Sequence, residues 1–459
     1  MNSEGSRRKP DTPVCDFVRN YGEQGWLRLH MPGHKGRGAL EALDITEIRG
    51  AEPLYSGGGI LRESEEIAAE LFGADRTVYS AEGSSLCIHA MLFLAKMRAE
   101  QRGEKALILA GRNAHRSFLS AAALLGLEVA WLRGENLLTC CPDGITLERA
   151  LAGLKEKPAA VYLTSPDYLG NRADISALSR VCRGRGIPLL VDNAHGAYLR
   201  FLPRDEHPLT LGADLTCDSA HKTLPVLTGG AYLHISREAD PFWRGQADRA
   251  MALFASTSPS WLILQSLDRC NAELRNGYRE KLARLAEETD RLKERLRDQG
   301  WEIMDGERIR ITICPRSFGY TGDGLHNLLR ERKMECEFSD PDYLVMMLTP
   351  ETGKDGLEKL EEALREIPRR PPLPEERPPM PEPDQVMPFG EALLAPAEKV
   401  AAEKSAGRIL ADPCVSCPPA VPLLISGERI GEEAVRCFRY YGISGVWCVS
   451  RSFDFSGGI

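Results

Sequence analysis

An open α/β fold, built on a mainly parallel sheet with smaller α/β pieces after it, is the architecture this 459-residue sequence predicts. Three observations predict it. Short apolar runs alternate with amphipathic stretches from about residue 62 onward, the spacing of strand–helix–strand crossovers. Glycine- and serine-bearing loops close several of those runs, where open sheets place their ligands. A long, charged helical stretch over 258–300 then separates this series from a second, shorter set of strand and helix signals.

Residues 1–60 alternate short apolar pieces with glycine and proline, as in LRLHMPGHKGRG (27–38), and read as an irregular arm. A helix, ESEEIAAELFGA (63–74), follows, then the strand RTVYSA and Gly83-Ser84-Ser85, which opens the amphipathic helix LCIHAMLFLAKMRAE (86–100). The strand ALILAG, the helix SFLSAAALLG, the strand EVAWL and a helix over 147–156 come next. They are followed by the strand AAVYLTSP, the helix DISALSRVCRGRG and the strand PLLVDNAH (188–195). ADLTCDSAHKT and GGAYLHIS extend the sheet, which gives a large domain over 61–265. The long helical region breaks at Asn276-Gly277 and leads into a small α/β domain, so that 266–367 holds a connecting helix, strands in WEIMDGERIRITICP and YLVMML, and helices over 323–332 and 357–366. Nine prolines between Pro368 and Pro388 predict an extended strap over 368–388. A C-terminal domain over 389–459 carries a helix in EALLAPAEKVAAEKSAG (391–407), the strand VPLLIS, the helix EEAVRCFRYYG and the strand VWCVS.

A length of 459 residues exceeds one ordinary core and agrees with two or three domains. The composition, 43% hydrophobic and 27% charged, is that of a globular protein. A net charge of −8 without any concentrated basic segment argues against a nucleic-acid partner. No run approaches the ~20 apolar residues of a membrane span, and the N-terminus lacks the apolar core of a secretory signal, so a cytoplasmic location is expected. Thirteen cysteines, scattered mostly singly, read as reduced thiols. Two local pairs, Cys140–Cys141 and Cys414–Cys417, lack the second half of a zinc motif, so no metal site is expected.

The chemistry concentrates in two strand ends. DSAHKT places Lys222 beside His221 and Ser219, and VDNAHGA ends an earlier strand with Asp192. Pyridoxal phosphate chemistry needs these two groups, a lysine to form a Schiff base and a carboxylate to keep the pyridine nitrogen protonated as an electron sink. Separately, a surface lysine and a turn-capping aspartate would look the same. Ser84 and Ser85 stand at a helix start, where backbone N–H groups and hydroxyls favour a phosphate, although glycine and serine are also ordinary caps. His115, in the loop after ALILAG, has the position of an imidazole laid over a cofactor ring or of a plain loop histidine. Ser219 and His221 are close enough to Lys222 in sequence to reach a phosphate or a substrate carboxylate.

Taken in order, LHMPGHKGR, RNAHRS, TSPDYLG, VDNAHGAYLRF, SAHKTLPVLTGGAYLH and STSPSWLILQSLD resemble the Orn/Lys/Arg decarboxylase family. The likeness resumes in CPPAVPLLISGERI (417–430), which is similar to that family's C-terminal domain. The resemblance implies an aspartate-aminotransferase-like (type I) large domain, pyridoxal 5'-phosphate as cofactor, and a short form without the family's N-terminal wing domain. It further implies that Lys222 carries the cofactor, Asp192 pairs with its pyridine nitrogen, His115 stacks on the ring, and Ser84, Ser85 and Ser219 bind phosphate. His221 would lie beside the Schiff base and His195 on the cofactor face near the substrate. Thr257 and Ser258 would reach the phosphate of a neighbouring subunit in a homodimer or larger homo-oligomer. Two departures stand out: a carboxylate, Glu82, in the phosphate loop, and Tyr55-Ser56-Gly57-Gly58-Gly59 in place of a His-Pro-Glu-Gly segment.

The implied reaction is decarboxylation of a basic amino acid, arginine, lysine or ornithine, to carbon dioxide and a di- or polyamine precursor, with His221 or Lys222 favoured over His195 to return the proton. Another type I reaction, aminotransfer or lyase chemistry, and a non-catalytic homologue are the alternatives. Glu335, Glu337, Asp340 and Asp342 are all candidates to read the substrate's cationic end, as is an acid supplied by the partner subunit.

Overall fold

The computed structural model describes residues 11–132, 142–374, 376–417 and 421–451. Two units divide it: 1–94 with 196–281, and 95–195 with 282–459.

The first unit begins with a helix that the sequence reading left inside an irregular arm, α1 (Pro13–Glu23). Its cause is local. Proline stands at the first helical position, Asp16 lies in the first turn, and Val14 and Val18, four residues apart, are both fully buried. Burying two valines contributes roughly 3–6 kcal/mol. Then come α2 (Gly59–Phe72), β1 (Arg76–Ser80) and α3 (Gly83–Gln101).

In the second unit the chain alternates strictly: β2 (Leu107–Gly111), α4 (Arg116–Leu124), β3 (Glu128–Leu132), α5 (Gly144–Gly153), β4 (Ala160–Thr164), α6 (Ile175–Gly184) and β5 (Leu189–Asp192). The four strands pair in the order β5-β4-β2-β3, all parallel. Val161, Leu163, Leu189, Leu190 and Val191 are buried to within 1%, as central parallel strands require. Parallel pairing brings the last residues of β2, β4 and β5, Gly111, Thr164 and Asp192, to one carboxyl edge, with Thr164 directly opposite Asp192.

Back in the first unit lie β6 (Leu215–Asp218), α7 (Ala220–Thr223), β7 (Ala231–Ile235), α8 (Pro241–Phe254) and α9 (Trp261–Arg275), with α10 (Tyr278–Asp298) beginning there. Here the pairing is antiparallel: β7 lies between β1 and β6. The expected helix break is present, with Gly277 at φ +82° between α9 and α10.

The second unit then adds β8 (Arg310–Ile313), α11 (Gly322–Glu331), β9 (Phe338–Ser339), β10 (Leu344–Met347) and α12 (Gly353–Arg365), whose strands form an antiparallel sheet in the order β8-β10-β9. The proline-rich stretch contains no helix among its described residues, and Gln385 bridges to Glu428. The helix expected over 391–407 is corrected. The α-helical part is α13 (Phe389–Leu394) alone; after Pro396 the chain becomes β11 (Ala397–Ala401), followed by one short 3-10 turn at Ala402–Lys404. Proline ends the helix, and the following Ala-Glu-Lys-Val-Ala pairs with a later strand instead. β12 (Cys414–Cys417), β13 (Val421–Ile425), α14 (Glu432–Tyr440) and β14 (Gly445–Val449) complete the chain, with β14 the partner of β11. Cys140 and Cys141 lie outside the described residues, and so does the side chain of Cys417. Among the described residues no helix is long and apolar enough to cross a membrane.

Candidate functional site

In the first unit, β6 runs straight into the short helix carrying Lys222. Ser219 caps that helix, 2% exposed, and its hydroxyl donates to Ser84 Oγ at 2.9 Å. Two serines from distant parts of the chain therefore meet where α3 begins, with Ser85 in the same first turn. Gly83, at φ +72°, turns the backbone into that helix, a conformation that side chains rarely adopt, and its N–H donates to Gly229 O at 2.7 Å. Adjacent hydroxyls at the start of a 19-residue helix suit a phosphate monoester. Glu82 does not oppose this role. Its carboxylate accepts the backbone N–H of Ser256 at 2.7 Å and so anchors the exposed loop that carries Thr257 and Ser258.

His221 lies beside Lys222 with its Nδ1 donating to Gly230 O at 2.9 Å. Burial lowers its pKa, outweighing the support from that carbonyl, and the neighbouring Lys222 lowers it further. The neutral ring therefore presents Nε2 as an acceptor. Beneath this loop a group not singled out from the sequence closes the end of β6: His207 Nε2 meets Asp218 Oδ2 at 2.8 Å, His234 approaches it at 3.5 Å, and all three are fully buried. Burial opposes ionisation of Asp218, but the two histidines outweigh it and hold its pKa below the usual range. His207 Nδ1 accepts the N–H of Leu209, so its Nε2 carries the proton donated to Asp218 and is committed to the network rather than to a metal ion.

In the second unit, Asp192 ends β5 at 2% exposure. Its carboxylate accepts from Tyr162 Oη at 3.3 Å and from the N–H of Ala194 at 3.1 Å. His195, three residues on, is 7% exposed and packs edge-on against Tyr168 with ring centroids 5.0 Å apart. Its Nδ1 lies 3.2 Å from Arg310 of β8. Tyr168, from the loop after β4, donates its hydroxyl to Glu337 at 2.7 Å. His115 follows β2 and caps α4: Nδ1 accepts the N–H of Ser117 at 3.2 Å, and the ring is exposed. Arg112, three residues earlier, is clamped by both carboxylate oxygens of Glu428, each at 2.8 Å and both side chains buried. Asp192 and His115 thus stand at the carboxyl ends of strands separated by β4 alone.

The four candidate acids separate clearly. Asp342 accepts from Tyr440 Oη at 2.6 Å and Tyr441 Oη at 3.3 Å, with Arg316 and Arg377 about it. Asp340 accepts the N–H groups of Asp342 and Tyr343, and burial pushes its pKa up to about 7. Glu335 pairs with His326 and Arg330. Glu337 is exposed, accepts from the Tyr168 hydroxyl, and has no cationic partner among the described residues. Spacing alone did not separate these acids, because all four fall within eight residues.

The family model described as Orn/Lys/Arg decarboxylase, major domain, matches residues 12–356, and the model of that family's C-terminal domain matches residues 383–446. An arginine decarboxylase of Bacillus subtilis is 30% identical over 468 residues, covering 93% of this chain and 92% of its own length. The constitutive lysine decarboxylase of E. coli shares the fold with a TM-score of 0.75 at 18% identity, over 95% of this chain and 81% of that one. Lysine decarboxylase A from Pseudomonas aeruginosa does so with a TM-score of 0.77 at 16% identity, over 96% and 80%.

Proposed function

The chain belongs to the Orn/Lys/Arg decarboxylase family, and on that premise we propose that it removes the α-carboxylate of arginine, releasing carbon dioxide and the corresponding amine. Enzymes of this family are pyridoxal-phosphate-dependent carboxy-lyases of basic amino acids, and this chain is one of them. Bound cofactor supplies the electron sink for the pair released when the bond from Cα to the carboxylate breaks.

Lys222 holds the cofactor through its amine, and Asp192 holds a proton on the ring nitrogen. Ser84, Ser85 and Ser219 bind the phosphate, and His115 covers the ring. The observation that carries this reading is Asp192, a carboxylate 2% exposed at the carboxyl end of a parallel strand. Tyr162 and the N–H of Ala194 hold that carboxylate at the strand end, where the cofactor's ring nitrogen is placed by this reading. Lys222 is the group that returns the proton to Cα. The geometry of His221 supports this, since its Nδ1–H is committed to Gly230 and its Nε2 is an acceptor.

Arginine is favoured by the arginine decarboxylase relative, matched over 92% of its length, and by Glu337, the one candidate acid without a cationic partner or backbone donors among the described residues. A planar guanidinium pairs bidentately with a carboxylate. The test is carbon dioxide release from arginine, lysine and ornithine in parallel, with arginine expected to be fastest. Glu337→Gln should raise KM for arginine roughly 10–100-fold, the worth of one charge-assisted hydrogen bond, with a smaller change in kcat. Lysine or ornithine turning over faster would overturn the substrate, and an unchanged KM would remove Glu337 from its role.

The working unit is a homodimer with shared sites. Trp26, Leu27, Leu29 and Met31 of the N-terminal arm are 61–83% exposed, a patch that a second copy would cover. Thr257 and Ser258, held on an exposed loop by Glu82, serve the phosphate of that second copy. Mixing Lys222→Ala chains with chains altered at both Thr257 and Ser258 should restore up to about a quarter of the sites, since half of random dimers are mixed and each mixed dimer has one intact site. An active monomer in sedimentation, or no recovery after verified subunit exchange, would rule the arrangement out.

A further inference from the structure

We propose that Arg310 is a positioning residue for His195: its guanidinium fixes the imidazole as the neutral ring protonated at Nε2, so that His195 presents a hydrogen-bond donor on the cofactor side. This rests on the proposed function and on the place at the cofactor face that the family resemblance implies for His195. A guanidinium carries only donors, so the nitrogen it contacts must be an acceptor without a proton. Arg310 Nη2 lies 3.2 Å from His195 Nδ1. The ring's one proton is therefore on Nε2.

Arg310 is itself immobilised. Its Nη1 donates to the carbonyl oxygens of Asp167 and Tyr168, both at 2.7 Å, and its Nη2 pairs with Glu307 at 2.8 Å. The Arg310 and Glu307 side chains are 3% and 1% exposed. Gly170, at φ +98°, makes room for the arginine: an added Cβ would stand 3.2 Å from Arg310 Cδ. Tyr168 braces the other side of the ring edge-on. Two contacts, from Arg310 of β8 and from Tyr168 of the loop after β4, thus meet on one imidazole, and three more hold the arginine. A side chain with no catalytic duty would gain little from a guanidinium held this firmly against it.

Among the described residues of this unit, Arg310 contacts the ring nitrogen and is paired with Glu307, Tyr168 contacts the ring and carries Glu337 on its hydroxyl, and Asp167, bonded to Asn171, and Asp192 lie close by in sequence. Of these, Arg310 alone both contacts the ring nitrogen and carries positive charge. Removing it lets His195 take up a second proton in mild acid.

The experiment compares the full-length wild type, Arg310→Met with Glu307→Gln, and Arg310→Lys. The double change removes both members of the ion pair, so that no orphan carboxylate remains. One arm follows ¹³C and ¹⁵N signals of labelled histidines, with His195 assigned as the signal lost in His195→Gln. The other follows kcat/KM against pH. Wild type should show the Nε2–H tautomer without titration between pH 5.5 and 8. The double variant should titrate near the ordinary imidazole pKa of about 6.5 and fall below wild type in kcat/KM at pH 8, where the neutral ring is free to place its proton on Nδ1, with part of that loss recovered at pH 5.5, where the imidazolium again carries a proton on Nε2. Arg310→Lys should restore part of the wild-type profile. A double variant whose histidine signal and pH profile both match wild type would show that Arg310 only braces the fold. Should the wild type release no carbon dioxide from any basic amino acid, the proposed function would fail instead, and the tautomer arm would still decide the role of Arg310.

Discussion

Replacing Lys222 with alanine is expected to abolish covalent attachment of the cofactor and to reduce turnover by at least about 10²–10⁴-fold, the range lost when a positioned proton-transferring group is removed. Two duties are lost at once. The amine that holds the cofactor disappears, and so does the group assigned to return a proton to Cα. His221 is a poor substitute, because its Nδ1–H is bonded to Gly230 and burial keeps the ring neutral. Borohydride reduction followed by peptide mapping checks the assignment without any assay of activity: wild type should carry the pyridoxyl label on Lys222, and the variant should carry none. A label on another lysine of the wild type would overturn the site.

Asp192→Asn should keep the cofactor bound but lose about 10–10³-fold in kcat. A facing carboxylate raises the pKa of a nitrogen base by roughly one to three units, and each unit is tenfold in the protonated population. The amide is close in shape, so the contacts with Tyr162 and the N–H of Ala194 can persist and the fold should hold. The loss should fall on kcat with little change in KM, because charge is what the substitution removes. A near wild-type kcat would reduce Asp192 to a cap at the end of β5.

Much of this molecule was legible in the chain because it is written in local patterns. The alternation of strand and helix over residues 107–192 needs only periodicity, and the break at Gly277 needs only one residue that tolerates positive φ. Motif order was enough to point to Lys222, Asp192, His115 and the serines, since each follows a strand in sequence. Local pattern also misled. The stretch 391–407 has a helical composition, yet its second part is an edge strand, because β14, some fifty residues further on, offers a ladder that composition does not reveal. Conversely, α1 was hidden within an arm rich in turn residues, although its buried valines repeat every four positions.

The sequence by itself determined the fold class, the family and the cofactor, and it named the candidate groups, because these follow from residue type and order along the chain. Tertiary structure alone decided how those groups are poised. Ser84 and Ser219 bond across 135 residues, Tyr168 and Glu337 across 169, and Arg310 and His195 across 115. Glu82, an unfavourable charge on sequence grounds, became an anchor for the loop at Ser256. The four neighbouring acids were separated by their partners, not by their spacing. The physical reason is common to all of these. A hydrogen bond or ion pair depends on separations of about 3 Å and on which atom donates, and loops and turns set those separations through contacts between segments that no local pattern relates.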